Sequence, residues 1–179
     1  MSQIGSVYGQ ALYGLSRDEG MDVAVLKELE TLAEAFDREP DFLRLLAAPN
    51  VPKEERCGIL DSSFRGKVQP YVLNFLKLLT EKGHIRQFPQ CVAAFREQYN
   101  LDHGILPVVA VTAVPLSALQ AERLTAKLSG LTGKTVELRN RIDPTQLGGV
   151  RLDYDGRRVE DTVAHRLDTL RAQLKNTVL

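Results

Sequence analysis

The chain has 179 residues, 44% of them hydrophobic, enough for one large domain or two small ones with an apolar core that needs no staples. Its 23 basic and 23 acidic residues cancel, which argues against nucleic acid or an anionic membrane as the main partner and favours protein. Charged residues interrupt every long apolar stretch, so no segment reads as a bilayer span, and the opening "MSQIGSVYGQALYG" lacks the basic residue ahead of an apolar run that marks a secretory signal.

From the N-terminus to about Tyr99 the pattern is helical, with breaks at Gly and Pro. Ile4, Val7 or Tyr8, Ala11 or Leu12, and Leu15 form the stripe of a first helix, which Gly20 ends. Val25, Leu29, Leu32 and Phe36 advance by four, three and four, the face of a second helix that Pro40 interrupts. Pro40 suits the first turn of a short third helix carrying Leu43 and Leu46, and "AAPNVPKEE" punctuates before a fourth with Ile59, Leu60 and Phe64. The fifth, "QPYVLNFLKLLTEKG", is apolar over more than one face and is capped by Gly83. Ile85, Phe88, Val92, Phe95 and Tyr99 mark a sixth, whose Pro89 requires the helix to begin close before it. Six short helices with brief connections predict an antiparallel bundle.

The texture changes over Asn100 to Gly104, a candidate domain boundary. "ILPVVAVTAV" reads as a strand with at least one buried side. Ser117 and Gln120 stand at capping-box spacing ahead of a helical stripe of Ala121, Leu124, Leu128 and Leu131. "KTVELR" alternates as a strand, and "GGVRLDYDGRRVE" is a hairpin turning at Asp155-Gly156. Asp161 can cap a last helix with Val163, Leu167, Leu170 and Leu174 on one face. The expected fold is mainly α with a smaller α/β part: a six-helix bundle over residues 1–103, then a small α/β domain with a mixed sheet over 104–179.

Candidate chemistry is sparse. Gly133-Lys134-Thr135 ends like a phosphate-binding loop, but Leu128 stands where the loop's first Gly belongs. A helix precedes it and a strand follows, the reverse of the order that converges amides on phosphate, so a helix-to-strand turn is the better reading. Gly148-Gly149 opens a strand and reads as a bulge or a close-packing point. His84, His103 and His165 lack partners at a motif spacing, and Cys57 and Cys91 read as buried or half-buried free thiols rather than zinc ligands. Acidic residues are interleaved among Arg157, Arg158, Arg166 and Arg171, as on a solvated or protein-facing surface. What remains is apolar surface: the broad stripe of the fifth helix, and the first helix with its small residues Gly5, Gly9, Ala11 and Gly14. These are either internal bundle core or a groove that admits another helix.

"VYGQALYGL", "LAAPNVPKEER", "FLKLLTEKGHIRQFPQCVAAFREQYN", "VTAVPLSALQ" and "GKTVELRNRIDPTQLGGVRLDYDGRRVEDTVAHRLDTL" follow one another over almost the whole chain. In that order and spacing they resemble the delta subunit of bacterial F-type ATP synthases, the counterpart of the mitochondrial oligomycin-sensitivity-conferring protein. The chain departs from the family pattern at Gly9, where Ala is usual, at Gly83-His84-Ile85, where Asn-x-Arg-Leu is usual, and at Glu160-Asp161-Thr162, which lacks a Gly.

The resemblance implies a noncatalytic stator subunit, with no catalytic residue, cofactor, metal, nucleic acid or direct small-molecule ligand. It implies that the helical domain grips N-terminal helices of alpha subunits on the catalytic head. The second domain would hold the C-termini of the peripheral-stalk b subunits, around Val150 to Leu174. By resisting rotor torque the protein would couple proton transport to ATP synthesis, peripheral to the cytoplasmic face of the bacterial inner membrane. The implied alpha groove lies on the first and fifth helices, where Tyr8, Ala11, Leu12, Val72, Phe75, Leu76 and Leu79 line or support it. The alternative is a small nucleotide- or phosphate-binding enzyme using Gly133 to Thr135.

Overall fold

Proline and glycine set most of the element boundaries. The computed structural model describes residues 3–145 and 148–162, and its contacts divide the chain into two units, Met1–Tyr99 and Asn100–Leu179. Six α-helices come first: α1 (Gln3–Asp18), α2 (Asp22–Arg38), α3 (Pro40–Leu46), α4 (Lys53–Phe64), α5 (Pro70–Glu81) and α6 (Phe88–Asp102). Pro40 and Pro70 occupy first turns, where their missing N–H costs no intrahelical bond. After α5 the chain reverses through Gly83 at φ 74°, while the N–H of His84 returns to the Leu79 carbonyl. Ile85–Gln87 then form a 3-10 turn before α6, so Ile85 lies outside the helix and Pro89 falls in its first turn.

All six helices feed one apolar core. The four-three-four series on α2, Val25, Leu29, Leu32 and Phe36, is buried throughout. The Phe36 ring stands 5.8 Å from Phe42, 6.3 Å from Phe64 and 5.2 Å from Phe88, tying α2 to α3, α4 and α6. Tyr13 meets Phe95 edge-on at 5.3 Å. Cys91 is buried against α1, and loss of water pushes its thiol up to about 11.

Helix α1 differs from the sequence expectation. Ile4, Val7 and Leu15 of its stripe are exposed, whereas Leu12, Tyr13 and Ser16 are buried together with Gly5 and Gly9. The reason is close approach: a Cβ at Gly5 would lie 2.7 Å from Gln90 Cβ, and one at Gly9 would overlap the Cys91 carbonyl oxygen. The small-residue face therefore seats against α6, and the larger apolar residues turn elsewhere.

In the second unit β1 (Ile105–Thr112) leads through α7 (Ala118–Thr132) to β2 (Thr135–Ile142), then to β3 (Gly149–Tyr154) and β4 (Arg157–Thr162). The sheet runs β2-β1-β3-β4, with β1 and β2 parallel, as a helical crossover demands, and the other pairs antiparallel. Asp155 and Gly156, at φ 48° and 68°, make the two-residue turn of the β3–β4 hairpin. One sheet face buries Leu106, Val108 and Val136, with Leu128, Leu138, Leu152 and Tyr154 packed against them. The chain is thus mainly helical with a four-stranded mixed sheet. The last helix expected from Val163, Leu167, Leu170 and Leu174 lies outside the described residues.

No residue of α7 is fully buried, and Leu131, expected in its apolar stripe, is 75% exposed. Its start depends correspondingly on the capping box, in which Gln120 N–H donates to Ser117 Oγ and Ser117 N–H donates to Gln120 Oε1. Ser117→Ala is expected to cost ~1 kcal/mol, read as faster amide exchange over the first turns of α7.

Candidate functional site

The Gly133 region has no vacant anion cradle. Gly133, at φ 68°, caps α7 and donates its N–H to the Ser129 carbonyl at 2.8 Å. Lys134 N–H reaches Thr132 Oγ1 at 3.4 Å, and Thr135 N–H pairs with the Gly104 carbonyl at 2.9 Å as β2 begins. All three amides that would have to converge on a phosphate are engaged, and a helix C-terminus points negative dipole at the turn. Among the described residues no cluster of His, Cys, Asp or Glu could hold a metal ion, and no helix is long and apolar enough to cross a membrane.

A pocket of about 300 Å³ opens between α1 and α5. Tyr8, Ala11, Leu12 and Leu15 line one wall, and Tyr71, Asn74, Phe75 and Leu78 line the other. Both rows have the spacing i, i+3, i+4, i+7, so each is one continuous helical stripe along the groove. The rim carries apolar side chains into water: Leu15 is 46% exposed and Leu78 39%. Asn74 and the two tyrosines supply its polar groups, and the Tyr8 ring lies 6.2 Å from that of His84.

Of the seven residues assigned to this site from sequence, Tyr8, Ala11, Leu12 and Phe75 line the pocket. Val72, Leu76 and Leu79 are fully buried in the core beneath it. The difference is a matter of helix phase, since 72, 76 and 79 form the inner stripe of α5 and 71, 74, 75 and 78 the adjacent outer one. The pocket also takes in Leu15, which continues the α1 row of Tyr8, Ala11 and Leu12, and Tyr71, Asn74 and Leu78, whose signal is the same i, i+3, i+4, i+7 row read one position earlier on α5.

Helix α5 is fixed to α4 by a charged contact. Lys77 Nζ lies 2.7 Å and Arg65 3.1 Å from Asp61 Oδ1. Hydrogen bonding from Lys77, then from Arg65, holds the Asp61 carboxyl below its ordinary value of 3.8. A depressed carboxylate stabilises the fold fully above that ordinary value and loses the contribution as pH falls through the folded value. Asp61→Asn is therefore expected to lower stability at neutral pH and flatten its decline below about pH 4, measured by urea unfolding across pH 2.5 to 7.

Comparison with known proteins covers nearly the full length. The family model described as ATP synthase delta (OSCP) subunit matches residues 4–174. The ATP synthase subunit delta of Clostridioides difficile (strain 630) is 30% identical over 176 residues, 98% of this chain and 97% of that protein. Its counterpart in Alkaliphilus oremlandii (strain OhILAs) is 31% identical over 172 residues, 96% of each. Among solved structures, a chain of the Toxoplasma gondii mitochondrial ATP synthase hexamer has the same fold, with a TM-score of 0.74 at 23% identity over 97% of this chain and 98% of that one.

Proposed function

Since the chain belongs to the ATP synthase delta (OSCP) subunit family, the noncatalytic peripheral-stalk component of the F-type enzyme, we propose that it ties the catalytic head to the b subunits and keeps the head from turning with the rotor. In this reading residues 1–103 form a six-helix bundle seated on the head. The α1–α5 groove takes the N-terminal helix of an alpha subunit, and residues 104–179 hold the C-terminal ends of the b subunits. The protein then works peripherally, at the cytoplasmic face of a bacterial inner membrane, and touches no nucleotide.

The observation that carries the groove assignment is the pair of matched, mainly apolar rows with Leu15 and Leu78 left in water. An amphipathic helix offers a complementary i, i+3, i+4, i+7 stripe and fits between two such walls. The contact suits a stator. Its apolar contribution scales with area at roughly 25 cal/mol per Å², and unlike exposed ion pairs it is hardly weakened by salt. The β3–β4 hairpin, within the Val150 to Leu174 stretch, is the proposed stalk contact in the second unit; the remainder of that stretch lies outside the described residues. The nucleotide-enzyme alternative has no support in the engaged amides of Gly133 to Thr135.

Co-sedimentation with membrane-stripped catalytic heads tests the proposal. Heads with intact alpha N-termini are expected to retain the protein, and heads trimmed of those segments to release it. Equal retention by trimmed heads would overturn the groove assignment.

A further inference from the structure

Helix α1 meets α6 with one face and walls the groove with another. Gly5 and Gly9 seat on α6 without side chains. A Cβ at Gly5 would stand 2.7 Å from Gln90 Cβ, and one at Gly9 would stand 2.9 Å from Ala94 Cβ and overlap the Cys91 carbonyl oxygen. At 3.6 residues per turn that face lies about a quarter turn from Tyr8, Ala11 and Leu15 on the groove wall. A continuous α-helix displaced at one face carries its other faces with it, so the depth of α1 on α6 would also set where the wall stands relative to α5. The obstacle at Gly9 is backbone, which no side-chain rotation relieves, and well-packed interiors transmit such displacements rather than absorb them. We propose that Gly5 and Gly9 are positioning residues that fix the width of the α1–α5 groove from the α6 side. Gly14, on the same helix, faces open space and has no such role.

The inference rests on the groove being the docking site, and the experiment separates the two. Binding of a synthetic peptide of the alpha N-terminal segment to the full chain is measured well below the melting temperature for wild type, Gly9→Ala, Gly5→Ala, Gly14→Ala and Leu60→Val. Leu60 is fully buried on α4, away from the groove lining, and reports the effect of lost stability alone. Gly9→Ala is expected to weaken binding about tenfold, the factor that about 1.4 kcal/mol commands. Gly5→Ala should lose a few-fold, because its obstacle is a single Cβ, whereas Gly14→Ala and Leu60→Val should keep wild-type affinity. Wild-type affinity in folded Gly9→Ala overturns the inference, as does an equal loss in Leu60→Val; if Gly9→Ala does not fold, Gly5→Ala decides in the same way. Absence of binding by wild type overturns the groove reading, and this inference with it.

Discussion

Leu78→Asp is expected to abolish docking on the groove while leaving the fold intact. Leu78 is 39% exposed on α5, so the new carboxylate is solvated in the free protein. A helix lying between α1 and α5 would have to bury it among Tyr8, Leu12, Leu15 and Phe75, in a lining that contains no cation. Desolvating an unpaired charge costs several kcal/mol, so the affinity should fall at least about a hundredfold, or ~2.7 kcal/mol. Val23→Asp, at a position 61% exposed on α2, should bind as wild type does. Calorimetric titration of the full chain with the alpha N-terminal peptide checks both, and unchanged binding by folded Leu78→Asp would remove the groove from the account. Because the contact is apolar, raising salt from 50 to 500 mM should change wild-type affinity little.

The second large effect is on stability. Phe36→Ala removes a ring that is 3% exposed and pairs with Phe42, Phe64 and Phe88. Truncation of a buried Phe costs about 3–5 kcal/mol, with the lost aromatic pairs placing this site at the upper end. That is a large share of the ~5–15 kcal/mol that stabilises a typical domain. Thermal unfolding should shift down by roughly 10 °C or more for a chain of this size. Phe42→Ala, at a half-buried position, should cost clearly less. A Phe36→Ala protein as stable as wild type would mean that the four-helix junction does not hold the first unit together.

Much of the fold was legible because large apolar residues mark their own faces. On α2 the regular spacing identified all four buried residues, and the Ser117 box and Asp155-Gly156 turn followed from local chemistry that needs no tertiary partner. Helix α1 was legible only in part, for the opposite reason: its small residues pointed to a close approach, but not to which of them makes it or against what. Its inner face contains glycines, whose contribution is the absence of atoms, and the value of an absence depends on what stands opposite; here that is the backbone of Cys91. On α5 the apolar residues spread over more than one face, so periodicity could not fix the phase. That uncertainty of one residue separates the core row of Val72, Leu76 and Leu79 from the lining row of Tyr71, Phe75 and Leu78. Asp61 and Arg65 stand at i, i+4 spacing, but the tie of Asp61 to Lys77 joins two helices and carries no short-range signature.

Site-specific photo-crosslinking in the assembled ATP synthase tests whether the α1–α5 groove holds the N-terminal segment of an alpha subunit. A photoreactive residue at position 78, on the exposed rim of α5, is expected to yield a single major adduct whose peptides map to the N-terminal segment of alpha. An adduct to b, or none to alpha in a complex that still couples, would mean that the alpha segment docks elsewhere.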